Sequence, residues 1–198
     1  MSEKPILYSG PMVRAILDGR KTQTRRCHIK PQPFCPRAHI SMLNGLYYVN
    51  PAYLNPHDDP DAGRKLPYKV GDLLWVRETW WAMHPKDAMS AARGEVAYRA
   101  TDEPPGYVDI RWRPSIYMPK WAARLWLKVT KVRVERIGEI TWDDAVAEGW
   151  PGPHADCDLY EGAVEWFKYL WDSLNKHRGY GWDTNPWVAA YDFERIDR

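Results

Sequence analysis

The longest run of alternating apolar and polar residues in the chain lies between positions 125 and 136. Its apolar positions are Leu125, Leu127, Val129, Val132 and Val134. A period of two predicts a β-strand with one face buried. Further strands are predicted at 73–78 and at 187–196. Strands separated by short helices and long loops favour an α+β fold built around a small β-barrel.

Three short helices are predicted between these strands. The first begins after Ser9 as N-cap and ends before Gly19, because glycine readily adopts the left-handed conformation that terminates a helix. The second begins after Thr141 with a capping box in which Asp144 replaces the usual glutamate. The third spans 161–176. Its apolar stripe consists of Val164, Phe167, Trp171 and Leu174.

Two long insertions interrupt the regular elements. Residues 31–67 contain seven prolines and are predicted to form a long loop with one short hairpin arm around 46–49. Residues 82–114 form the second insertion, with a short strand at 96–98. No internal repeat or low-complexity tract divides the sequence, so we interpret 1–198 as one domain with two insertions.

The segment that follows the first helix is strongly basic. Residues 20–26 hold four cations and two threonines, which are Arg20, Lys21, Thr22, Thr24, Arg25 and Arg26. The formal net charge of the whole chain is only +2, so this is a local basic patch on a nearly neutral protein. Such a patch indicates a site for an anionic or base-like ligand, and the alternative is a basic surface that serves solubility alone.

The aromatic composition is also unusual, with twelve tryptophans and twelve tyrosines against three phenylalanines. Rings that both stack and form hydrogen bonds suit nucleobases, although a Trp-rich core accounts for most of them. Trp75, Trp80 and Tyr117 are the candidates for stacking on a base. Glu78 follows a predicted strand, where its carboxylate is a candidate ligand for the amino edge of a base or a partner for a local arginine such as Arg77.

Several classes of protein are disfavoured. No N-terminal apolar run resembles a signal peptide, and no stretch approaches the ~20 residues that cross a membrane. Three cysteines without a C-x-x-C pair argue against a disulfide framework, so we expect a cytoplasmic protein with no membrane partner. Cys27, His28, Cys35 and His39 are competent zinc ligands, but their spacing fits no usual zinc finger, and we expect neither a metal nor a cofactor.

Together these motifs resemble those of ASCH domains. The resemblance rests on the pattern G-x-K-T-x-T-x-R at 19–26, on V-G-D at 70–72 before a strand, on the short helix at 141–148 and on the terminal strand at 187–196. ASCH domains belong to the PUA-like superfamily of small β-barrels associated with RNA. The matching parts span 6–196, and the long, Trp-rich form is similar to the version often carried in prophage genomes.

The resemblance implies a chemistry at particular positions. Minimal bacterial ASCH proteins include N4-acetylcytidine amidohydrolases, in which a lysine and a threonine of this signature and a glutamate at the end of the short helix form the proposed catalytic set. The matching residues are Lys21, Thr24 and Glu148. They imply hydrolysis of the N4-acyl amide of a nucleoside or RNA substrate, by a Thr nucleophile with a Lys base and a Glu proton donor. We also expect the protein to be a monomer.

The same chemistry can be argued from the residue types. The Thr24 hydroxyl attacks the acyl carbonyl and a neutral Lys21 accepts its proton, because nearby arginines lower the pKa of the lysine. Arg26 is a candidate ligand for the oxyanion or for a ribose or phosphate oxygen. Residues three apart on a strand face opposite sides, so Lys21 must lie in the turn after Gly19, or next to a bulge, to meet Thr24.

The alternative interpretation is an RNA-binding protein or a ribonuclease that acts on single-stranded RNA. Such a protein would place the basic patch and the aromatic side chains on the RNA strand. Lys21 or Glu148 would then activate a 2′-hydroxyl. The sequence does not separate the two interpretations cleanly, and the complete set of Lys, Thr and Glu favours the hydrolase.

Overall fold

The structure is a computed structural model that describes residues 2–27, 39–43, 46–50, 64–83, 95–103, 111–152 and 162–198. In chain order, the strands and helices of these ranges are β1 (Glu3–Leu7), α1 (Gly10–Leu17), β2 (Gln23–Arg26), β3 (His39–Leu43), β4 (Leu46–Asn50), β5 (Arg64–Lys65), β6 (Leu73–Arg77), β7 (Trp80–Ala82), β8 (Val96–Tyr98), β9 (Trp126–Arg136), α2 (Trp142–Ala147), α3 (Ala163–Asn175) and β10 (Trp187–Ile196). Short 3-10 turns join several of them.

The main sheet has five strands in the order β1-β6-β9-β10-β2. β1 and β6 are parallel, and all other neighbours are antiparallel. The strands predicted at 73–78, 125–136 and 187–196 are all present, and β9 and β10 pair along almost their whole length. The α+β class is therefore confirmed.

The predicted barrel is an open, curled sheet. Among the described residues, the edge strands β1 and β2 share no backbone ladder. Their ends are nevertheless close. This is shown by a hydrogen bond of 2.7 Å that the Arg26 Nη2 atom donates to the Leu7 carbonyl. The Arg26 side chain thus joins the two edge strands, which in a closed barrel would be hydrogen-bonded to each other through their backbones.

Two buried clusters flank this sheet. The first packs α1 against it and includes Ile6, Val13, Ile16, Leu74, Val76, Leu127 and Val129. The second packs α2 and α3 against the start of β10 and includes Ile137, Ile140, Ala145, Phe167, Trp171 and Val188. The basic segment contacts both clusters, since Lys21 lies over the ring of Tyr8 and Arg25 lies over the ring of Phe167. The segment predicted to be basic and functional therefore lies between the two cores.

The helices begin and end close to the predicted positions. Ser9 is the N-cap residue of α1 but its side chain makes no capping hydrogen bond, whereas Gly19 ends the helix region with φ +75° as expected. The predicted capping box of α2 is present, because the Thr141 hydroxyl accepts a hydrogen bond from the Asp144 N–H. No helix in the described part of the chain is long and apolar enough to cross a membrane.

Both insertions contain small sheets of their own. In the first, β3 and β4 form the predicted hairpin arm, and β5 adds a third strand next to β4. In the second, the predicted strand at 96–98 is β8, which pairs with β7. The rest of the predicted loops, at 28–38, 51–63, 84–94 and 104–110, lies outside the described residues. The single-domain organisation of 1–198 stays a prediction.

Gly149 is the residue at which α2 meets the basic segment. It follows Glu148 and has φ +101°, a backbone conformation that residues with a side chain rarely adopt. A Cβ atom built on Gly149 would lie 3.0 Å from the Cβ atom of Ala15 and 3.2 Å from that of Lys21. Glycine is therefore needed here both for its backbone conformation and for the close approach of α1, α2 and Lys21.

We expect Gly149→Ala to destabilise the protein by about 2 kcal/mol or more, because backbone strain and steric contact add. Gly152→Ala is the matched control, since Gly152 has φ +91° but no atom within 4 Å of its added Cβ. It should cost only about 1 kcal/mol. Urea unfolding of both variants measures the difference, and equal losses would show that the close approach is unimportant.

The turn before β6 is closed by a buried carboxylate. Gly71 has φ +85°, and the fully buried Asp72 accepts hydrogen bonds from the Ser2 hydroxyl (2.7 Å), the Lys4 ammonium (2.7 Å) and the Lys69 N–H (3.1 Å). Burial alone would raise the pKa of Asp72. The hydrogen bonds and the charge of Lys4 outweigh this effect and hold the pKa below its usual value.

Because the pKa of Asp72 is lower in the folded than in the unfolded protein, its carboxylate stabilises the fold above about pH 4, and this contribution is lost as the pH falls further. We expect Asp72→Asn to be less stable than wild type at neutral pH, and the difference to shrink toward about pH 3 in urea unfolding. Asp18→Asn, which removes an exposed partner of Arg20, should leave the acid dependence unchanged. A difference that is constant with pH would contradict this prediction.

Candidate active site

The basic segment is held between the ends of α1 and α2. The Lys21 N–H donates to the Ala15 carbonyl over 2.9 Å, and the Thr22 N–H donates to the Ala147 carbonyl over 2.8 Å. Lys21 and Glu148 form an isolated antiparallel bridge, so Lys21 precedes β2 and is not part of it. The sequence-based requirement that Lys21 lie in the turn after the helix is therefore met.

The Lys21 ammonium is buried and fully hydrogen-bonded. Its Nζ atom lies 2.7 Å from Glu148 Oε2, 2.8 Å from the Glu148 carbonyl and 2.8 Å from the Gln23 carbonyl, and the residue is 3% exposed. Burial is the main cause that lowers the pKa of Lys21, and the charges of Arg25 and Arg26 add to it. Glu148 opposes the shift but does not reverse it. Lys21 therefore loses its proton more readily than an ordinary lysine.

The other carboxylate oxygen of Glu148, Oε1, contacts a second cation. The Nη1 atom of Arg25 lies 3.2 Å from Glu148 Oε1, while Nη2 of Arg25 lies 2.7 Å from Glu135 and 3.1 Å from Asp144. A carboxylate at the end of a helix is unfavourable by itself, and here two cations compensate for it. Glu148 thus contacts Lys21 through Oε2 and Arg25 through Oε1.

Thr24 and Arg26 lie at alternate positions of β2 and hence on the same face of the strand. Thr24 is buried, opposite Tyr191 of β10. The Arg26 guanidinium lies 5.2 Å from the ring centroid of Tyr8. Burial raises the pKa of Tyr8 well above its usual value, although Arg26 and Thr24 act in the opposite direction, so Tyr8 remains a neutral phenol.

These side chains line one cavity of about 660 Å³. Its polar part includes Lys21, Thr24, Arg26 and Glu148. Its apolar wall is contributed by α3 and consists of Phe167, Leu170, Trp171 and Leu174. The volume is within the usual range for small-molecule sites. The structure thus brings the predicted catalytic set and Arg26 to the same cavity.

Four predicted ligand-binding residues lie elsewhere. Trp80 is 2% exposed and packs edge-to-face on Trp121, so it is a core residue. Trp75 is half-buried on β6 and lies under the guanidinium of Arg77. Tyr117 is 72% exposed and borders a separate hollow. None of these three rings lines the cavity of Lys21.

Glu78 is the fourth residue that lies elsewhere. It is buried, and its two carboxylate oxygens each accept a hydrogen bond of 2.9 Å from Arg124. Burial, the largest influence, raises the pKa of Glu78, and Arg124 opposes this. The arginine partner considered at the sequence level exists but is Arg124, not Arg77. Glu78 is thus paired within the protein and does not line the candidate site.

The basic segment is largely neutralised within the protein. Arg20 pairs with Asp18 over 2.8 Å, and Lys21 and Arg25 pair with carboxylates as described above. Arg26 instead donates to a carbonyl oxygen. The segment is therefore not the open basic surface that the RNA-binding interpretation requires.

Two groups of residues in the cavity were missed at the sequence level. The apolar stripe of α3 was interpreted as core, yet Leu174 on that stripe is 55% exposed and lines the cavity. Arg178, in the turn after α3, also lines it, and nothing in the local sequence distinguishes this arginine from other surface arginines. Of the zinc set considered at the sequence level, only Cys27 has a described side chain; it lines the same cavity, and burial raises its thiol pKa to about 11.

Comparisons with known proteins give a distant match. No protein-family model matches the chain, and no curated protein matches it. Among solved structures, the chain is similar to protein EF3133 from Enterococcus faecalis V583, described under the family DUF984 (11% identity, TM-score 0.44). It is also similar to an ASCH domain from Lactobacillus crispatus JV V101 (12% identity, TM-score 0.44). In both cases the match covers 100% of this chain and 81% of the other. These matches are too distant to assign a function, which must come from the site itself.

The pairing of Lys21, Arg25 and Glu148 predicts unequal effects on stability. Glu148→Gln leaves Lys21 buried without a carboxylate partner and should cost about 3–5 kcal/mol. Lys21→Met should cost less, because Glu148 keeps its contact with Arg25. The double variant should be more stable than the sum of the two losses predicts, by about 0.5–3 kcal/mol.

Urea unfolding of the four proteins measures this cycle. The control is the exposed pair Lys128–Glu194, whose charged atoms lie 3.0 Å apart on the same sheet. Lys128→Met and Glu194→Gln should each change the unfolding free energy by less than about 1 kcal/mol. Additive losses at Lys21 and Glu148 would contradict a coupled buried pair.

Proposed function

We propose that the protein hydrolyses the N4-acyl amide of acetylcytidine-type nucleosides, with Thr24 as nucleophile, Lys21 as base and Glu148 as proton donor. The observation that carries the proposal is the arrangement of these three residues on one cavity, with Lys21 buried and 2.7 Å from Glu148. A nucleophilic hydroxyl, a lysine with a lowered pKa and a carboxyl group are together sufficient for amide hydrolysis.

The first step is a proton transfer within the buried pair. Lys21 gives a proton to Glu148 along their hydrogen bond, which produces a neutral amine and a protonated carboxyl group. Burial favours this direction, because it destabilises the ammonium. For the next step the Lys21 side chain must turn its lone pair from Glu148 toward Thr24, which lines the same cavity. One transfer thus supplies both the base and the acid of the reaction.

Acylation of Thr24 follows. Lys21 accepts the hydroxyl proton while the Thr24 oxygen forms a bond to the acyl carbon. The carbonyl becomes an oxyanion in the tetrahedral intermediate. When the carbon–nitrogen bond breaks, the leaving amine takes the proton of Glu148. The products are the free base amine and an acyl ester on Thr24, with Lys21 and Glu148 back in their charged forms.

Deacylation repeats the same proton path with water. After a second transfer from Lys21 to Glu148, Lys21 removes a proton from water and the hydroxide attacks the ester carbon. The Thr24 oxygen leaves with the proton of Glu148. The carboxylic acid is released, and all three side chains return to their starting protonation states, so atoms and charges balance over the cycle.

In this proposal the nucleobase of the substrate packs against different side chains from those predicted. The apolar wall of α3 includes Phe167, Leu170 and Trp171, and these side chains face the polar set across the cavity. They take the place of Trp75, Trp80 and Tyr117 as the surface that excludes water from the base. Binding of single-stranded RNA has less support, because the cations of 20–25 are paired with carboxylates of the protein itself.

Incubation of the purified protein with N4-acetylcytidine, followed by measurement of cytidine release, tests the proposal. Thr24→Ala and Lys21→Met should each lower kcat by about a thousandfold or more, and Glu148→Gln by about a hundredfold or more. Thr22→Ala is the matched control, because Thr22 is an exposed threonine whose contacts to Ala147 and Phe193 are made by backbone atoms. It should keep wild-type turnover.

Absence of cytidine release by the folded wild-type protein would contradict the proposed function. Full activity in Thr24→Ala would contradict the nucleophile but not the reaction. Unfolding curves of each variant, measured beside the kinetics, distinguish a loss of chemistry from a loss of fold.

A further inference from the structure

The cavity has an uneven distribution of charge. Its inner cations, Lys21 and Arg25, pair with carboxylates. Two further cations line it, Arg26 and Arg178, and no carboxylate of the described residues pairs with either. Arg26 donates to a backbone carbonyl and lies over a tyrosine ring, and Arg178 lies over the ring of Tyr180. Within the described part of the chain, the charges of Arg26 and Arg178 are therefore not compensated by a carboxylate.

The two arginines lie on opposite elements of the cavity. Arg26 is at the end of β2, two residues beyond Thr24. Arg178 is in the turn that follows α3, and its charge lowers the pKa of Cys27, the residue directly after Arg26, against the larger effect of burial. Both arginines line the same cavity.

Arg178 follows the C-terminal end of α3, away from the part of this helix that lies next to Glu148. Phe167 lies 5.9 Å below the guanidinium carbon of Arg25, next to Glu148. Arg178 comes roughly three helical turns later along the chain. The apolar wall of α3, formed by Leu170, Trp171 and Leu174, fills the interval. A ligand that contacts both ends must have a reactive group at one end, an apolar body and an anionic group at the other.

We propose that Arg26 and Arg178 bind a phosphate group of the substrate, so that the preferred substrate is an acylated nucleotide and not the free nucleoside. This inference rests on the proposed function. In a nucleotide the acyl amide is on the base and the phosphate is on the ribose, at opposite ends of a flat, weakly polar body. A neutral nucleoside would leave both arginines without a counter-ion.

The chemistry of the two side chains suits a phosphate. A phosphate monoester carries about −1.5 to −2 charges at neutral pH. The guanidinium fork donates two parallel hydrogen bonds to its oxygens. Arg26 keeps N–H groups beyond the one that bonds Leu7, and Arg178 donates to no acceptor among the described residues. Phosphate binding requires no change in the paired cations at the catalytic end.

Kinetics with matched substrates test the inference. We expect wild type to hydrolyse N4-acetylcytidine 5′-monophosphate with a kcat/KM about ten- to a hundredfold higher than N4-acetylcytidine. Comparison of the 5′- and 3′-monophosphates shows which position of the phosphate is preferred. A preference for either isomer over the nucleoside supports the inference. Arg178→Gln should reduce the preference for phosphate by about tenfold or more. Lys176→Gln is the matched control, because this exposed lysine in the same turn does not line the cavity; it should leave the preference unchanged.

Binding separates this inference from the proposed function. In Thr24→Ala, cytidine 5′-monophosphate should bind at least about tenfold more tightly than cytidine in isothermal titration calorimetry, and Arg178→Gln should remove that difference. Binding of this kind without hydrolysis by wild type would refute the hydrolase and retain the phosphate site. Equal kcat/KM for nucleoside and nucleotides, with no effect of Arg178→Gln, would refute the phosphate site and retain the hydrolase.

A third substrate distinguishes a mononucleotide from RNA. A short oligoribonucleotide with one internal N4-acetylcytidine offers the same phosphates as part of a chain. A kcat/KM for this oligonucleotide above that of the mononucleotides would overturn the assignment to a mononucleotide. A lower value would support it, because a concave cavity closed by α3 accommodates one nucleotide more easily than a continuous strand.

Discussion

The buried contact of Lys21 and Arg25 with Glu148 is the interaction on which the arrangement of the site depends. It joins the start of β2 to the end of α2, and Arg25 extends it to Glu135 on β9 and to Asp144 on α2. Charges that are removed from water need partners at short range, because an unpaired buried charge costs about 3–5 kcal/mol. The elements around the cavity are therefore held in place by a few charged atoms.

The same contact gives the cavity its polarity. At the inner end, a proton can move between Lys21 and Glu148 without entering water. At the outer end, Arg26 and Arg178 present charge that the described part of the protein does not compensate. Between them, α3 provides an apolar wall that includes Leu174, an exposed residue with no partner in the core. A substrate that is reactive at one end and anionic at the other matches this order.

Much of the fold could be predicted because it is encoded in local pattern. The strand β9 and the capping box at Thr141 depend on residues only a few positions apart, and both are confirmed. The aromatic ligands could not be predicted in the same way. The large apolar face of an indole ring suits both a buried core position, as for Trp80, and stacking on a nucleobase. Residue type alone therefore does not distinguish the two roles.

The sequence by itself determined where β6, β9, β10 and the three helices form, and that Lys21 needs a turn or a bulge to share a site with Thr24. Only the tertiary structure decided which charges pair, which aromatic rings are buried and that α3 forms a wall of the cavity. The physical reason is distance along the chain. Periodicity and capping report on neighbours within a turn or two, whereas Lys21 and Glu148 are separated by 127 positions and meet only when α1, α2 and the sheet pack together.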